Sequence, residues 1–148
     1  MEKRGQGAML KIPQELLELI KAHGQRSFPE ECVGLLLGKN DAEARQALSL
    51  IRLENSASSR RTEFALSDAE LLRGESEAAR QNLDVVGFYH SHADFEAVAS
   101  EKDREFAIPG LSYPIVSVMS GKAVSVKSFA FGGERKKADF TEEEIVCL

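Results

Sequence analysis

The chain has 148 residues, of which 43% are hydrophobic and 29% are charged, so we expect one domain over residues 1–148. Nineteen basic residues against 24 acidic ones leave a net charge of −5, which argues against nucleic acid as a partner. Residues 1–7 open no signal peptide and no later run is long enough to span a membrane, so we expect a cytoplasmic protein. Cys32 and Cys147 lack the CxxC spacing of a cysteine-rich zinc site.

The first half of the chain alternates helical and extended patterns. The predicted elements are a helix over 13–22, strands over 32–38 and 45–54, a polar turn over 55–61, an extended piece over 62–66 and a helix over 67–81. Gly24 is expected to end the first helix, and His23 is interpreted as a cation beside its C-terminus. Ser67 and Glu70 have the spacing of a capping box at the start of the second helix.

The second half begins with an apolar strand over 85–89 that leads directly into His90-Ser91-His92. After it we predict an irregular segment over 93–99, a helix over 100–107, and strands over 113–119 and 124–131 flanking a turn. The acidic tail over 141–148 fits no single pattern. Because helices and strands are interleaved while the late strands pair as a hairpin, we expect an α/β protein with a mixed sheet and helices packed on its faces.

Three side chains have the spacing of metal ligands. His90 and His92 are two apart on a strand, so both imidazoles point to the same face while Ser91 points to the other. Asp103 lies three residues after Ser100 at the start of a helix and can supply a third ligand. Two imidazoles and one carboxylate, with a fourth position for water, match the open arrangement of a catalytic zinc site that performs hydrolysis.

Such a site also needs a base, and Glu31, at the entrance of the first apolar strand, is the candidate. Each feature has an ordinary structural explanation when taken alone. A histidine pair can be two unrelated histidines, Ser100 and Asp103 are typical of any helix N-terminus, and Glu31 is typical of a surface carboxylate. The hypothesis therefore depends on all of these residues being present together.

Their order and spacing resemble the JAMM, or MPN-plus, family of zinc metalloproteases. In that signature a distant glutamate precedes H-[ST]-H-x7-S-x2-D, which here corresponds to Glu31, His90-Ser91-His92, Ser100 and Asp103. The resemblance extends from the 29–38 block to the hairpin after Tyr113, and the compact prokaryotic members are nearest in size. It implies a curved, mixed sheet related to that of cytidine deaminases.

By this resemblance His90, His92 and Asp103 would bind one Zn²⁺ with its water, Glu31 would activate the water, and Ser100 would hold the developing oxyanion. The resemblance also implies a substrate: an amide at the Gly-Gly C-terminus of a ubiquitin-like β-grasp protein, with a sulfur carrier favoured in so short a chain. An extended tail of this kind is expected to add beside an exposed strand edge that ends at His90 and His92.

The chain departs from the family at two positions, since Ala93 and Ala99 stand where close bacterial relatives commonly have proline. A looser loop is expected to weaken zinc affinity. Asp94 and Glu96 lie in the same loop and are alternatives to Asp103 as the third ligand, but they lack its helical spacing to Ser100, so we interpret both as solvated.

Other functions remain open at this point. One alternative is an isopeptidase that acts on a lysine-linked ubiquitin-like modifier, and another is a non-catalytic MPN scaffold, although such members usually lack the ligands. A zinc deaminase would need HxE and PCxxC, and neither occurs. The sequence leaves the oligomeric state undetermined.

Overall fold

A computed structural model describes residues 9–40, 44–132 and 139–148. Its strands are β1 (Met9–Ile12), β2 (Val33–Asn40), β3 (Arg45–Leu53), β4 (Asp84–Ala93), β5 (Tyr113–Met119), β6 (Lys122–Phe131) and β7 (Phe140–Cys147). Its helices are α1 (Gln14–Ser27), α2 (Asp68–Gln81) and α3 (Glu101–Phe106). The expectation of no signal peptide concerns residues 1–7, which lie outside the described part. Across the described ranges, no helix is both long and apolar enough to cross a bilayer.

The seven strands form one mixed sheet in the order β1-β3-β2-β4-β5-β6-β7, closed into a barrel. Three of its pairs are parallel: β1 with β3, β1 with β7, and β4 with β5. The mixed α/β class is confirmed, but the expected curved sheet is wrong, because the sheet closes on itself. The sheet closes because the tail folds as β7, which pairs with β6 on one side and with the unpredicted β1 on the other. The first half of β7 pairs with β6 and its second half pairs with β1.

Helix α1 runs past the position at which the sequence predicts its end. Gly24 lies inside the helix and is buried. A Cβ at this position would come within 3.0 Å of a Val118 methyl and 3.1 Å of a Val116 methyl, both on β5. Glycine is therefore used here for close packing of the helix on the sheet, and the expected stop is wrong.

The sheet packs apolar side chains into two clusters. The α1 cluster includes Ile20, Leu36, Val86, Tyr89 and Val116. The α2–α3 cluster includes Leu35, Ala78, Phe88, Ala107 and Ile115. The alternation of side chains along each strand divides them between the two clusters.

A β-bulge on β4 decides which of these clusters each later residue of that strand faces. In the register with β2, Leu36 pairs with Gly87 and Leu37 pairs with Val85, so Val86 is an extra residue. Val85 packs against the α2–α3 cluster and Val86 belongs to the α1 cluster. One extra residue shifts the alternation of every residue that follows.

Beyond the bulge, even-numbered residues of β4 face the α2–α3 side. Phe88 belongs to the α2–α3 cluster and Tyr89 to the α1 cluster. His90 and His92 continue the alternation of Phe88, whereas the Ser91 hydroxyl accepts a hydrogen bond from the backbone of Cys32, in the α1 cluster. The bulge therefore directs both imidazoles toward α3.

Two predicted local features are confirmed. The Ser67 side chain accepts a hydrogen bond from the Glu70 backbone at 3.2 Å and caps α2, although the Glu70 carboxylate accepts from Glu54 and Arg73 and does not complete a capping box. Ser120 and Gly121 have φ angles of 51° and 86° and form the tight turn between β5 and β6. The extended piece predicted over 62–66 carries no strand pairing.

Candidate metal centre

The end of β4 and the start of α3 bring three ligand-type side chains together. His90 and His92 have their Nε2 atoms 3.3 Å apart. The Asp103 carboxylate lies 3.1 Å from the His90 Nε2 through one oxygen and 3.2 Å from the His92 Nε2 through the other. All three residues are buried. The local cause is the bulge on β4 together with the first turn of α3, which orients Asp103 inward.

These separations fit a tetrahedral zinc ion. Four ligands placed about 2.0–2.1 Å from one ion lie about 3.3 Å from each other, because the tetrahedral angle fixes the ratio. The three ligand groups therefore lie at the separations that such an ion imposes. The donor set, two imidazole nitrogens and one carboxylate, is also one that zinc accepts while leaving a position for water.

A hydrogen bond to the backbone orients the second imidazole. His92 Nδ1 lies 2.8 Å from the Glu96 carbonyl oxygen, which can only accept, so Nδ1 carries a proton. In the neutral ring, Nε2 then holds a lone pair that faces the Asp103 carboxylate. Two facing acceptors repel unless a proton or a cation lies between them, and a divalent cation satisfies all three groups at once.

Asp103 is held by the cap of its own helix. Its backbone donates to the Ser100 hydroxyl at 3.1 Å, and its carboxylate accepts from the Ser100 backbone at 2.9 Å. This reciprocal pair forms a capping box. The same two hydrogen bonds therefore start α3 and fix the direction of the carboxylate.

The electrostatics of the cluster follow from its burial and its contacts. Burial lowers the pKa of His90 below its ordinary value. Burial also acts to lower the pKa of His92, but the hydrogen bonds to Asp103 and Glu96 outweigh it and raise the pKa. For Asp103, burial opposes ionisation, but the contacts with His90 and His92 hold the pKa far below its usual range. The carboxylate is therefore ionised in the folded protein.

Glu31 lies just before β2 and is only 5% exposed. Its backbone is fixed on both sides, since its amide donates to the Arg60 carbonyl and its own carbonyl accepts from Asn55. Burial raises the pKa of Glu31 to about 8, with His92 opposing the rise and Asp103 reinforcing it. Glu31 thus presents a buried carboxyl group on a fixed backbone.

A cleft of about 940 Å³ lies against the cluster and is lined by Glu31, His92, Ser100 and Asp103. Its apolar lining includes Phe95 and Val98, which are 58% and 50% exposed. The expected strand-edge groove that ends at His90 and His92 stays a prediction. At His90, β4 pairs with β2 on one side and with β5 on the other, so access to the cluster runs through the cleft between loops.

Sequence reasoning missed the groups that support the imidazoles. The Phe64 ring packs on the His90 ring with 4.6 Å between centroids, and Phe106 packs on Phe64 at 5.1 Å. The sequence indicates Glu96 only as a carboxylate, whereas its backbone carbonyl makes the contact with His92. No periodic signal could have revealed the contacts of Phe64 with His90 and Phe106, because these residues are far apart in the chain.

The remaining polar residues do not join the cluster. Asp94 and Glu96 are exposed, and the group of ligand atoms found among the described residues contains neither of them. His23 faces the other side of the sheet, with Nδ1 2.8 Å from the Tyr89 hydroxyl. Burial, reinforced by Arg52 and Arg26, lowers the pKa of His23 to about 4, so the interpretation of His23 as a helix-end cation is wrong.

Comparison with known proteins adds curated relatives to this geometry. The chain is 33% identical over 97 residues to a probable TtuB-protein conjugate cleaving protease of Thermus thermophilus, covering 66% of this chain and 62% of the relative. It is 34% identical over 94 residues to a desampylase of Pyrococcus furiosus, covering 64% and 63%. The matched segment spans less than two thirds of the length of these relatives.

Solved structures also resemble the chain over nearly its whole length. A protein of Desulfitobacterium hafniense, solved in solution, has a TM-score of 0.80 and 30% identity, covering 95% of this chain and 93% of that one. A protein of Salinibacter ruber has a TM-score of 0.72 and 35% identity, covering 93% and 91%. The family model for prokaryotic homologs of the JAB domain matches residues 13–131. The chain, with its buried His-His-Asp cluster, therefore belongs to the prokaryotic JAB family.

Proposed function

We propose that this protein is a zinc-dependent peptidase or isopeptidase that hydrolyses an amide at the Gly-Gly C-terminus of a ubiquitin-like β-grasp protein, with a sulfur carrier as the favoured substrate. One observation carries the hydrolytic part: His90, His92 and Asp103 converge in a buried cluster with 3.1–3.3 Å between ligand atoms. A divalent cation requires its ligand atoms to converge at such separations, whereas a cluster whose charges already balance does not.

In this proposal His90, His92 and Asp103 hold the ion. When bound, zinc acidifies a water molecule, polarises a carbonyl group and adds the positive charge that allows a buried carboxyl group to ionise near neutral pH. Glu31 takes the proton of the attacking water and passes it to the leaving amine. Its burial and its fixed backbone hold the carboxylate at one place in the cleft wall.

Ser100 has the position and the spare hydrogen to stabilise the oxyanion. Its hydroxyl oxygen accepts from the Asp103 backbone, which leaves the hydroxyl hydrogen available to donate. The residue is exposed in the wall of the cleft. Capping the helix and donating to substrate are therefore compatible roles, since one hydroxyl can accept and donate at once.

The substrate class rests on the family and on the surroundings of the site. One relative is named as a probable TtuB-protein conjugate cleaving protease and another as a desampylase. Exposed Phe95 and Val98 give the cleft an apolar wall of the kind that binds another protein or a peptide. The names of the relatives also favour the second candidate, an isopeptidase that releases a lysine-linked ubiquitin-like modifier. A non-catalytic scaffold would have no use for a complete ligand set.

The test combines metal analysis with mass spectrometry of two substrates. One is a β-grasp protein whose Gly-Gly tail carries an added cysteine, and the other is the same tail joined to a lysine side chain. We expect zinc in the purified protein and release of the tail. Cleavage of the cysteine-extended tail supports the sulfur carrier, and cleavage of the lysine-linked tail alone supports the second candidate.

Glu31→Gln should keep the metal and lose turnover by about 10²–10⁴-fold, as expected for removal of a general base. The matched control is Glu30→Gln, since Glu30 is the exposed neighbour of Glu31 and should behave as wild type. Normal turnover in the Glu31→Gln variant would remove Glu31 as the base, and a protein that takes up no divalent metal would overturn the proposed function.

A further inference from the structure

The segment 94–98, here named the His92 loop, carries the carbonyl group that orients His92. The Glu96 carbonyl accepts from His92 Nδ1 at 2.8 Å and from the Val98 backbone at 2.9 Å. It follows that the direction of the His92 lone pair depends on where this loop holds one backbone oxygen. The residues that fix the loop therefore act on the metal site without touching the metal.

Ser117 on β5 fixes the middle of the His92 loop. In the parallel register Ser117 pairs with His92, so the two side chains are neighbours on the same face of the sheet. Ser117 is 1% exposed, and its hydroxyl donates to the Phe95 carbonyl at 2.5 Å. This bond joins the strand beside His92 to the peptide group directly before the Glu96 carbonyl.

Asp94 fixes the start of the loop. Its backbone donates to the Val118 carbonyl at 2.7 Å, and its carboxylate accepts from the Ser120 backbone at 2.8 Å. Asp94 also has a φ of 61°, in the left-handed region, which turns the chain sharply after β4. The loop is therefore bonded to the end of β5 at its first residue and to the middle of β5 at its second.

We propose that Ser117 is a positioning residue of the metal centre, which holds the His92 loop so that the Glu96 carbonyl selects the His92 tautomer with a free Nε2. This inference rests on the proposed function, because it assumes that His92 Nε2 binds the metal. The residues beside the loop, Ala93 and Ala99, do not restrict the backbone as proline would. Hydrogen bonds therefore have to order this segment. Of the two side chains described above that bond the loop to β5 and its turn, Ser117 is buried and Asp94 is exposed.

Removing the hydroxyl in Ser117→Ala leaves the Phe95 carbonyl without this donor and lets the loop move away from His92. Zinc affinity should then fall by about 10- to 100-fold, as is typical when a partner that orients a ligand is lost. In the metal-free protein at a pH where His92 is neutral, a population of the Nε2-protonated tautomer should appear. A purely structural role for Ser117 would lower stability without moving the tautomer.

The experiment measures zinc affinity by competition with a chelator for the wild type, Ser117→Ala, Ser117→Thr and Ser125→Ala. Ser125 pairs with Ser117 on β6 and is a matched serine outside the bond to Phe95. Ser117→Thr keeps a hydroxyl and should recover most of the affinity. The imidazole ¹⁵N shifts of His92 report the tautomer in the metal-free proteins.

The proposal is supported if Ser117→Ala loses affinity and shows tautomer mixing while Ser125→Ala matches the wild type. Wild-type affinity and a single tautomer in Ser117→Ala would overturn it while leaving the proposed function intact. Equal losses in Ser117→Ala and Ser125→Ala would also overturn it, since they would indicate general weakening of the sheet. If the wild type binds no zinc, the proposed function fails, and the tautomer measurement still decides the role of Ser117.

Discussion

Among the described residues, two buried polar clusters have similar exposure but differ in how their charges are balanced. In one, Arg45 contacts the Glu143 carboxylate at 3.1 Å, and that carboxylate also accepts from the Ser128 hydroxyl at 2.7 Å. In the other, His90 and His92 surround the Asp103 carboxylate. The exposed fractions of Arg45 and Glu143 are 5% and 7%, and those of His90, His92 and Asp103 are 2%, 7% and 8%. Burial alone therefore does not distinguish the two clusters.

Charge balance does distinguish them. The Arg45–Glu143 cluster contains a permanent cation, a carboxylate and hydroxyl donors, so each acceptor meets a donor. The His-His-Asp cluster contains lone-pair atoms that face one another, and its charge is balanced only when a histidine is protonated or a cation is bound. A buried group of acceptors is thus a better indication of a metal site than a buried ion pair. Four variants can break or sharpen this comparison.

The largest effect is expected from His92→Ala, which removes one of the converging nitrogens. The zinc content should fall from about one ion per chain to near zero, and turnover should fall below detection, because two ligands hold zinc poorly. Metal analysis and tail cleavage measure this. His23→Ala is the matched control, since His23 lies in the other cluster against Tyr89 and should keep both metal and activity. Full zinc content in His92→Ala would contradict the site.

Glu143→Leu should destabilise the fold by about 3–5 kcal/mol, because it removes the carboxylate that the buried Arg45 contacts. Zinc content should not change, since the two clusters are separate. Urea unfolding measures the free energy of unfolding. The double variant Arg45→Met/Glu143→Leu should recover most of the loss by replacing the ion pair with apolar packing. A loss of zinc in Glu143→Leu at full folding would show that the clusters are coupled.

Ser100→Ala should lower kcat by about 10²-fold, the usual effect of losing one oxyanion donor. It should also cost about 1 kcal/mol of stability, because the cap of α3 is lost. Ser67→Ala is the control: it removes the cap of α2 by the same chemistry and should lower stability alone. Equal kcat values in the two variants would reduce Ser100 to a cap.

The smallest effect is a pH dependence in the metal-free protein. The pKa of Glu31 is raised from 4.5 to about 8. Below pH 4.5 both folded and unfolded states hold the proton. Above it the unfolded state releases the proton first, so stability falls as the pH rises toward 8. Glu31→Gln should therefore leave Tm unchanged at pH 4 and raise it at pH 8.5. A constant difference between the two pH values would argue against a buried, protonated Glu31.

Local patterns predicted much of the fold because they reflect short-range geometry. The apolar run of β2 and the turn at Ser120 and Gly121 depend on neighbouring residues, and the structure has both. The failures concern contacts between distant residues. Gly24 looked like a helix stop because its contacts with Val116 and Val118 join residues more than 90 positions apart. The tail over 141–148 fits no single local pattern, because its pairing with β1 joins opposite ends of the chain.

The amino-acid sequence by itself determined the ligand-type side chains and their spacing. Local geometry decides how such side chains are directed. Two residues that are two apart on a strand point to the same face, and a residue three positions after a helix cap lies beside that cap. Only the tertiary structure decided that His90 and His92 meet Asp103, that Glu31 lines the same cleft as His92 and Asp103, and that the sheet closes. Each of these depends on long-range packing and strand register, including the bulge at Val86, which no local period encodes.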